Sequence, residues 1–570
     1  MERRVLLAVI LSFGVLYAYQ ALFPSPDAAK KAQAQTQAAH TTANEPSRNA
    51  ASGQPGTSAP AGAAAAQSSA TPPAAPSSAD VSARQVVVDN EYVHAVFTTR
   101  GGVLDSWQLK KYHDVNGKPL EFVATYAPEG SPRPFTLAVD DPALTAQLKT
   151  AAFTPSTERL DFSSSRTGTV SFEYRNAGVE ARKTFEFSLD RPYVVVVSAS
   201  VTQGGKDVPV TIEWGPAIGS GIVHASRSYN PPSQPIFFKD GKVTRVQQKK
   251  VAEQAVQNGT FGFAGVDEHY FITAVVDPPS PVRVNYSLID VNVPNDPAGA
   301  HYVSWAARYP ASVQSVRYFV GPKDFDVLAS VDRNLVRSID FGMFAWLVVP
   351  LLRALKWINA YVGNYGWSVV ILTILINLAI FPLRHKSVVS MRRMQEIQPE
   401  VKAIQDRYSK LKMNDPARSK MNTELMNLYR ERGVNPASGC VPMLLTLPVL
   451  FAFYAMLGVA IELRGAPFVG WIHDLVAPDP YYVLPILMGI TMFAQQRMTP
   501  TTPDPSQQKM MLIMPVVFTA MSLWWSSGLL LYWTVSNIWG IGQQMITNRI
   551  IGAPKTRAYR PPAERRVKGT

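Results

Sequence analysis

Nearly all of the lipid-soluble sequence in this chain lies after Phe341, where apolar segments carrying a few polar residues and many prolines alternate with basic loops. This restricts the second half to a polytopic α-helical bundle, because hydrocarbon offers backbone polar groups no partners except one another. One further apolar run, Val5 to Phe23, stands alone near the N-terminus. The roughly three hundred residues between must then cross to the far side of the bilayer before the chain returns.

The formal net charge of +13 would suit nucleic acid or anionic lipid. The densest basic stretches flank apolar segments, which favours cytoplasmic retention beside lipid and no nucleic-acid substrate. A single cysteine, Cys440, excludes an intrachain disulfide and any multi-cysteine metal site.

With the basic flank Met1 to Arg4, residues 1–23 read as an uncleaved transmembrane anchor, a cleaved signal peptide being the alternative. Residues 24–84 are Ala, Gln, Ser, Thr and Pro with few large apolar side chains, a flexible low-complexity linker. From 85 to 325 the period becomes two, in Tyr92 to Thr98, Val103 to Leu109, Val170 to Tyr174, Lys183 to Leu189, Tyr193 to Thr202 and Val208 to Trp214. Gly101-Gly102, Gly204-Gly205 and Asp277-Pro278-Pro279 supply turns, so this region is expected to be a large periplasmic antiparallel β-sandwich. His269 in it is either a ligand or base, or a side chain that packs or hydrogen-bonds.

Residues 335–360 carry apolar positions Ile339, Leu347, Val348, Leu351, Leu352, Leu355 and Ile358 at helical spacing, with Arg353, Lys356 and Asn359 on the other side. Such a helix lies along the membrane surface or packs on the β-domain, and Pro350 can kink or divide it. The membrane core, 361–550, holds spanning candidates Trp367 to Leu383, Val441 to Ala460, Tyr482 to Met498, Met511 to Trp525 and Leu529 to Thr547. With the anchor that makes about six spans, placing both termini in the cytoplasm, in keeping with the basic tail 551–570. Inside the core, 386–432 reads as a cytoplasmic helical hairpin broken at Asn414-Asp415-Pro416. Its basic face, with Arg392, Arg393, Lys402 and Arg407, is a solvated surface or a docking surface for a ribosome or nascent chain.

Polar residues mark three of the spans. Thr373 and Asn377 lie four apart, with Arg384 two turns further; Thr491 and Gln495 repeat the spacing; Ser536, Gly540, Gln543 or Gln544, and Thr547 do so in the last span. Polar groups are costly in hydrocarbon unless paired or wetted, so these stripes either line a hydrated cavity or make ordinary interhelical hydrogen bonds. No Asp or Glu occupies the middle of a span, which argues against a proton-driven pump. No phosphate-cradling loop, two-His metal spacing or catalytic pair stands out, so neither enzyme chemistry nor a cofactor or metal is expected.

Specific stretches resemble the YidC membrane-protein insertase family in its long Gram-negative form. They are Gly433-Val434-Asn435-Pro436, Gly439-Cys440-Val441-Pro442, Trp471-Ile472-His473-Asp474-Leu475, Asp479-Pro480-Tyr481-Tyr482, Pro485-Ile486-Leu487-Met488-Gly489 and Ser527-Gly528-Leu529 with Tyr532 and Ser536-Asn537. The resemblance implies an insertase and chaperone for inner-membrane proteins, acting alone or with the Sec translocon. It also implies a hydrophilic groove open to cytoplasm and lipid, nascent membrane proteins as clients, and the ribosome and lipid bilayer as partners. Aligned through Asn364-Tyr365-Gly366-Trp367 and Phe381-Pro382-Leu383, Asn377 stands where the family commonly has an arginine, and Thr373, Tyr532 and Trp533 fall where the family contacts clients. The expected groove set is Thr373, Asn377, Arg384, Thr491, Gln495, Tyr532, Trp533 and Ser536. A neutral amide at 377 cannot attract an acidic client, so charge attraction here requires Arg384 or another cation to reach in. A solute transporter, or a periplasmic binding module merely anchored by its spans, are the rival readings.

Overall fold

The computed structural model describes residues 83–551 apart from 115–116, 125–126, 164, 217, 219–231, 292–299, 409–416, 435–440 and 499–504. The expected anchor, almost all of the linker and the tail beyond its first residue lie outside these residues.

From Gln85 to Pro322 the chain is mostly strand. Val179–Ser188 shows why: Val179, Ala181, Lys183, Phe185 and Phe187 turn inward, while Glu180, Arg182 and Glu186 face water. It pairs antiparallel with Thr167–Asn176 and Val194–Gln203 inside a ten-stranded sheet. Two five-stranded sheets pack on this layer. Phe97 of one meets Phe185 at 4.8 Å, and Trp305 of the other stacks on Tyr318 at 5.9 Å while donating Nε1–H to Thr273 Oγ1 at 3.2 Å. The region is therefore a sandwich with one layer split in two. One correction concerns direction: Gln85–Asp89 pairs parallel with Arg159–Asp161, which is possible because five strands and helix α1, Pro142–Thr150, intervene and allow a crossover.

The Gly101-Gly102 turn has φ of 70° and 54°, and a Cβ on Gly101 would sit 2.8 Å from the Lys149 carbonyl oxygen. Lys183 secures this corner from inside the core, donating to the carbonyls of Gly101 at 2.7 Å and Phe135 at 3.0 Å.

The 335–360 segment is corrected at its start. After α2, Phe325–Val331, the chain forms only single 3-10 turns at Leu335–Ser338 and Gly342–Phe344 before α3, Ala345–Val362. Asp340 Oδ1 accepts from the Gly342 N–H at 3.0 Å, and Gly342 is left-handed at φ 64°, so a local turn outcompetes the helix there. Pro350 lies within α3 without dividing it. The apolar stripe Val348, Leu351, Leu352, Leu355 and Ile358 packs on α4, Tyr365–Glu396, and α7, Val441–Val459, leaving Trp346, Trp357 and Tyr361 exposed.

Beyond α4 come α5, Gln398–Arg407, and α6, Ala417–Glu431, then α7, α8, Val483–Met498, α9, Pro505–Ser522, and α10, Ser527–Ile551. Gly342–Val362 and Tyr365–Met394 are long and apolar enough to cross a membrane; Leu447–Val459 and Leu512–Ser522 are shorter apolar helices.

Burial pushes the Lys183 ammonium down to about 7. An unfolded lysine titrates near 10.4, so between those values the unfolded chain binds more protons and stability rises with pH. Thermal unfolding of the full chain in detergent should show that rise between about pH 7 and 10, and Lys183→Met should flatten it. An unchanged slope in the variant would count against this origin.

Candidate functional site

The polar faces of α4, α8 and α10 meet. On α4, Thr373 is fully buried and back-bonds to the Val369 carbonyl at 2.6 Å, so its hydroxyl is satisfied within its own helix. Asn377 is the hub: its NH2 donates to the Thr373 carbonyl at 2.8 Å and to Ser536 Oγ of α10 at 3.4 Å, while its Oδ1 accepts from Arg384 Nη1 at 3.2 Å. The half-buried Arg384 thus reaches two turns back along α4 to Asn377.

On the opposite side Thr491 back-bonds to Leu487 and Met488 carbonyls, both at 2.9 Å, and its Oγ1 also accepts from Asn537 Nδ2 at 3.3 Å. The Gln495 amide lies against Gly540, where a Cβ would strike it, so the small residue permits close approach of α8 and α10. The stripes hold members of two kinds. The two threonines and Asn377 are internally paired, whereas Arg384, Gln495, Trp533 and Ser536 remain partly accessible.

Tyr532 is buried with its ring stacked on Phe453 of α7 at 4.2 Å. Trp533 packs on Trp525 and on Phe518 of α9, each at 5.7 Å. Sequence reasoning undervalued Asn537 and Gln543. The family-like pair Ser536-Asn537 was a signal for the first, and the i, i+7 spacing from Ser536 was one for the second.

Further along α4 and α10, His385 Nδ1 meets Thr547 Oγ1 at 3.4 Å, and Arg392 bonds to Asn548 Oδ1. Arg392 is buried, which corrects its place on the exposed basic face; helical periodicity turns it toward α10. Arg393 and Lys402 are exposed, and Arg407 is exposed but paired with Glu424 at 3.0 Å. The hairpin closes on Ile397, Val401, Ile404, Leu428 and Val434, with Arg432 paired to buried Glu400 at 2.6 Å.

The β-hairpin tip carrying His269 meets the C-terminal end of α7. His269 Nε2 bonds to the Gly458 carbonyl, and Tyr270 Oη donates to the same oxygen at 3.4 Å, so an otherwise orphaned helix-terminal carbonyl is capped. Burial holds the imidazole below its usual range and the neighbouring Glu268 carboxyl well above its own. Lys356 of α3 bonds to Asp324 at 3.4 Å, Asp326 at 2.5 Å and Glu462 at 3.0 Å, joining the β-domain to the loop after α7. Burial and then Asp324 raise the Glu462 carboxyl, against the pull of Lys356.

Residues 85–354 match the family model described as YidC periplasmic domain, and residues 357–554 match that described as 60Kd inner membrane protein. A protein of Citrifermentans bemidjiense named membrane protein insertase YidC is 38% identical over 566 residues, spanning 97% of this chain and 100% of its own length. The proteins of the same name from Geobacter sulfurreducens and Geobacter metallireducens are 37% and 35% identical, each across 98% of this chain and 100% of their own.

Arg392→Ala should lower stability by about 1–3 kcal/mol, as expected when a buried charged hydrogen bond is lost. Arg393→Ala and Lys402→Ala should stay within about 0.5 kcal/mol. Thermal unfolding in detergent distinguishes them, and equal effects would return Arg392 to the exposed face.

Proposed function

The chain belongs to the YidC family of membrane protein insertases, and from that membership we propose the route by which it carries a client's polar end into the bilayer. Its activity is membrane protein insertion, its setting is the inner membrane, and its β-rich domain is the family's periplasmic domain. The client is a membrane protein, and the surrounding partner is the lipid bilayer.

In the proposed arrangement an anchor at 1–23, α4, α7, α8, α9 and α10 make six spans, with both termini in the cytoplasm. Arg384, Lys386, Arg497 and Arg549 at the inner ends support this orientation, as do the exposed aromatics Trp346, Trp357 and Tyr361 of α3, which suit the outer interface. The single observation carrying the mechanism is the continuous polar contact from Thr373 through Asn377 to Arg384 and across to Ser536. Burying an unpaired amide or hydroxyl costs roughly 2–7 kcal/mol depending on the reference state, and fixed polar groups along a recess offset part of that cost for a passing tail. The client's apolar segment then leaves sideways into lipid, favoured by about 25 cal/mol for each Å² buried. No covalent bond changes, so the activity needs no catalytic residue.

Arg393 and Lys402 on the hairpin are available to a ribosome or nascent chain, and larger clients are handed over beside the Sec translocon. Trp533, amphipathic and half-buried, contacts varied sequences without demanding one.

Purified protein in liposomes should insert a single-span client with a short acidic tail without ATP, assayed by protease protection of the translocated tail. Equal insertion by empty liposomes would overturn the reading. Joint replacement Thr373→Val with Asn377→Leu should slow that insertion about tenfold, the scale of one to two lost polar contacts. An unchanged rate would remove both positions from the route.

A further inference from the structure

We propose that the groove between α8 and α9 holds an acyl chain of an anionic phospholipid from the cytoplasmic leaflet, with the lipid phosphate on Arg497. This rests on the placement of α8 and α9 as spans and adds to it a lipid site on a face that the client route does not use.

Ile486, Gly489 and Phe493 recur at three- and four-residue spacing on α8 and face Val516, Thr519 and Ala520 of α9 across an open concavity of about 500 Å³. That size falls within the ordinary range of ligand pockets. Its origin is local: Gly489 has no side chain, and a Cβ there would strike the Thr519 hydroxyl, so the two helices approach closely at that level. Ile490 and Val516 stand exposed on either side, and the small Ala520 leaves room between them. Thr519 carries the one polar side chain in the lining, and its hydroxyl donates to the Pro515 carbonyl at 2.7 Å. The groove is therefore apolar throughout. Phe493 and Arg497 each stand two residues from Gln495, about 200° around the α8 axis, so they lie away from the polar stripe.

One end of the groove is charged. Arg497 is exposed, and its guanidinium lies over the Phe493 ring, 5.0 Å from the centroid. Among the described residues no carboxylate pairs with it, and neither α8 nor α9 contains an Asp or a Glu. An unpaired guanidinium at the headgroup level suits a phosphate. Length then selects what hangs from that phosphate. Arg497 lies eleven residues beyond Ile486, about 16 Å of helix rise, which is close to half of the ~30 Å hydrocarbon layer. A single acyl chain of one leaflet fills that distance, whereas a client helix would need a groove running through the whole layer.

The test uses the full chain purified in detergent and counts retained lipid by native mass spectrometry, with phosphatidylglycerol and phosphatidylcholine of equal chain length as probes. One phosphatidylglycerol should be held about tenfold more tightly than phosphatidylcholine, the scale of one charge-assisted hydrogen bond. Arg497→Gln should remove that preference, and Arg497→Lys should keep part of it. Ala520→Phe, which fills the groove and leaves the charge in place, should also weaken phosphatidylglycerol about tenfold. Phosphatidylglycerol with a diazirine midway along one chain should label peptides containing Ile490 or Val516. Glycerol phosphate, the same anion without chains, should not displace the lipid at equal concentration.

Equal retention of the two lipids, or a preference indifferent to Arg497→Gln, overturns the phosphate site. Labelling confined to other helices, or retention indifferent to Ala520→Phe, overturns the groove. Displacement by glycerol phosphate would leave only an anion site, and a dimer abolished by Ala520→Phe with no lipid retained would give the groove to a second copy; either result overturns the lipid assignment. None of these readouts uses insertion, so their failure leaves the insertase reading standing, while insertion no better than in empty liposomes would defeat that reading and leave the lipid counts unchanged.

Discussion

Asn377 carries the constraint on which the membrane half depends, because a carboxamide inside an apolar bundle must satisfy both of its ends. It does so by spending its two N–H groups on its own helix and on α10 and its oxygen on Arg384. One side chain therefore fixes the pitch of α4 against α10 and brings a cation up toward the bundle's middle. The charge is thereby carried by one residue and held in place by another. The two roles are distributed over Asn377 and Arg384, two turns apart on one face.

Much of this was legible because the periodicities are clean. The alternation in Lys183 to Leu189 and Tyr193 to Thr202 returns as paired strands, and Trp367 to Leu383 as the body of α4. Periodicity could not count the sheets, since that depends on which strands meet at long range. Nor could it show that α4 runs on unbroken to Glu396, where no breaker interrupts it after Pro382. The late start of α3 was missed because an aspartate side chain bonding to a left-handed glycine leaves no mark in an apolar pattern. At the candidate site, spacing placed Thr373, Asn377 and Arg384 on one face, but not which hydroxyls would close on their own helix. Arg392 was misassigned because a basic residue in a basic loop gives no hint that an asparagine on another helix waits for it.

The β-domain and the bundle are joined through polar groups that would be expensive to leave unpaired. Gly458 near the C-terminal end of α7 offers a carbonyl that its own helix cannot satisfy, and His269 with Tyr270 supplies the donors. Lys356 is surrounded by three carboxylates from two different segments, so removing it would leave Glu462 buried beside Asp324 without a cation. These contacts sit five to nine residues beyond Phe453, whose ring rests on Tyr532. The Gly458 cap and the Phe453 contact of the site are thus parts of one helix, and the Glu462 contact follows directly after it.

In the proposed route the α7 wall lets a polar recess exist without a leak. Outward of Thr373, α4, α7 and α10 contribute Val369, Leu372, Phe453, Met456, Leu457 and Leu530 to the buried apolar core, none with a polar side-chain atom able to support a file of water. Inward of Thr373 the same helices carry Asn377, Ser536, Arg384 and Gln543. The change from apolar to polar therefore falls along the length of one face, between residues only a turn apart. In the proposed route a polar tail entering from the inner side finds partners as far as Thr373 and an apolar plug beyond it. Further movement then favours the client's apolar segment, which gains lipid sideways, over passage of ions or water, which would lose every partner at the plug.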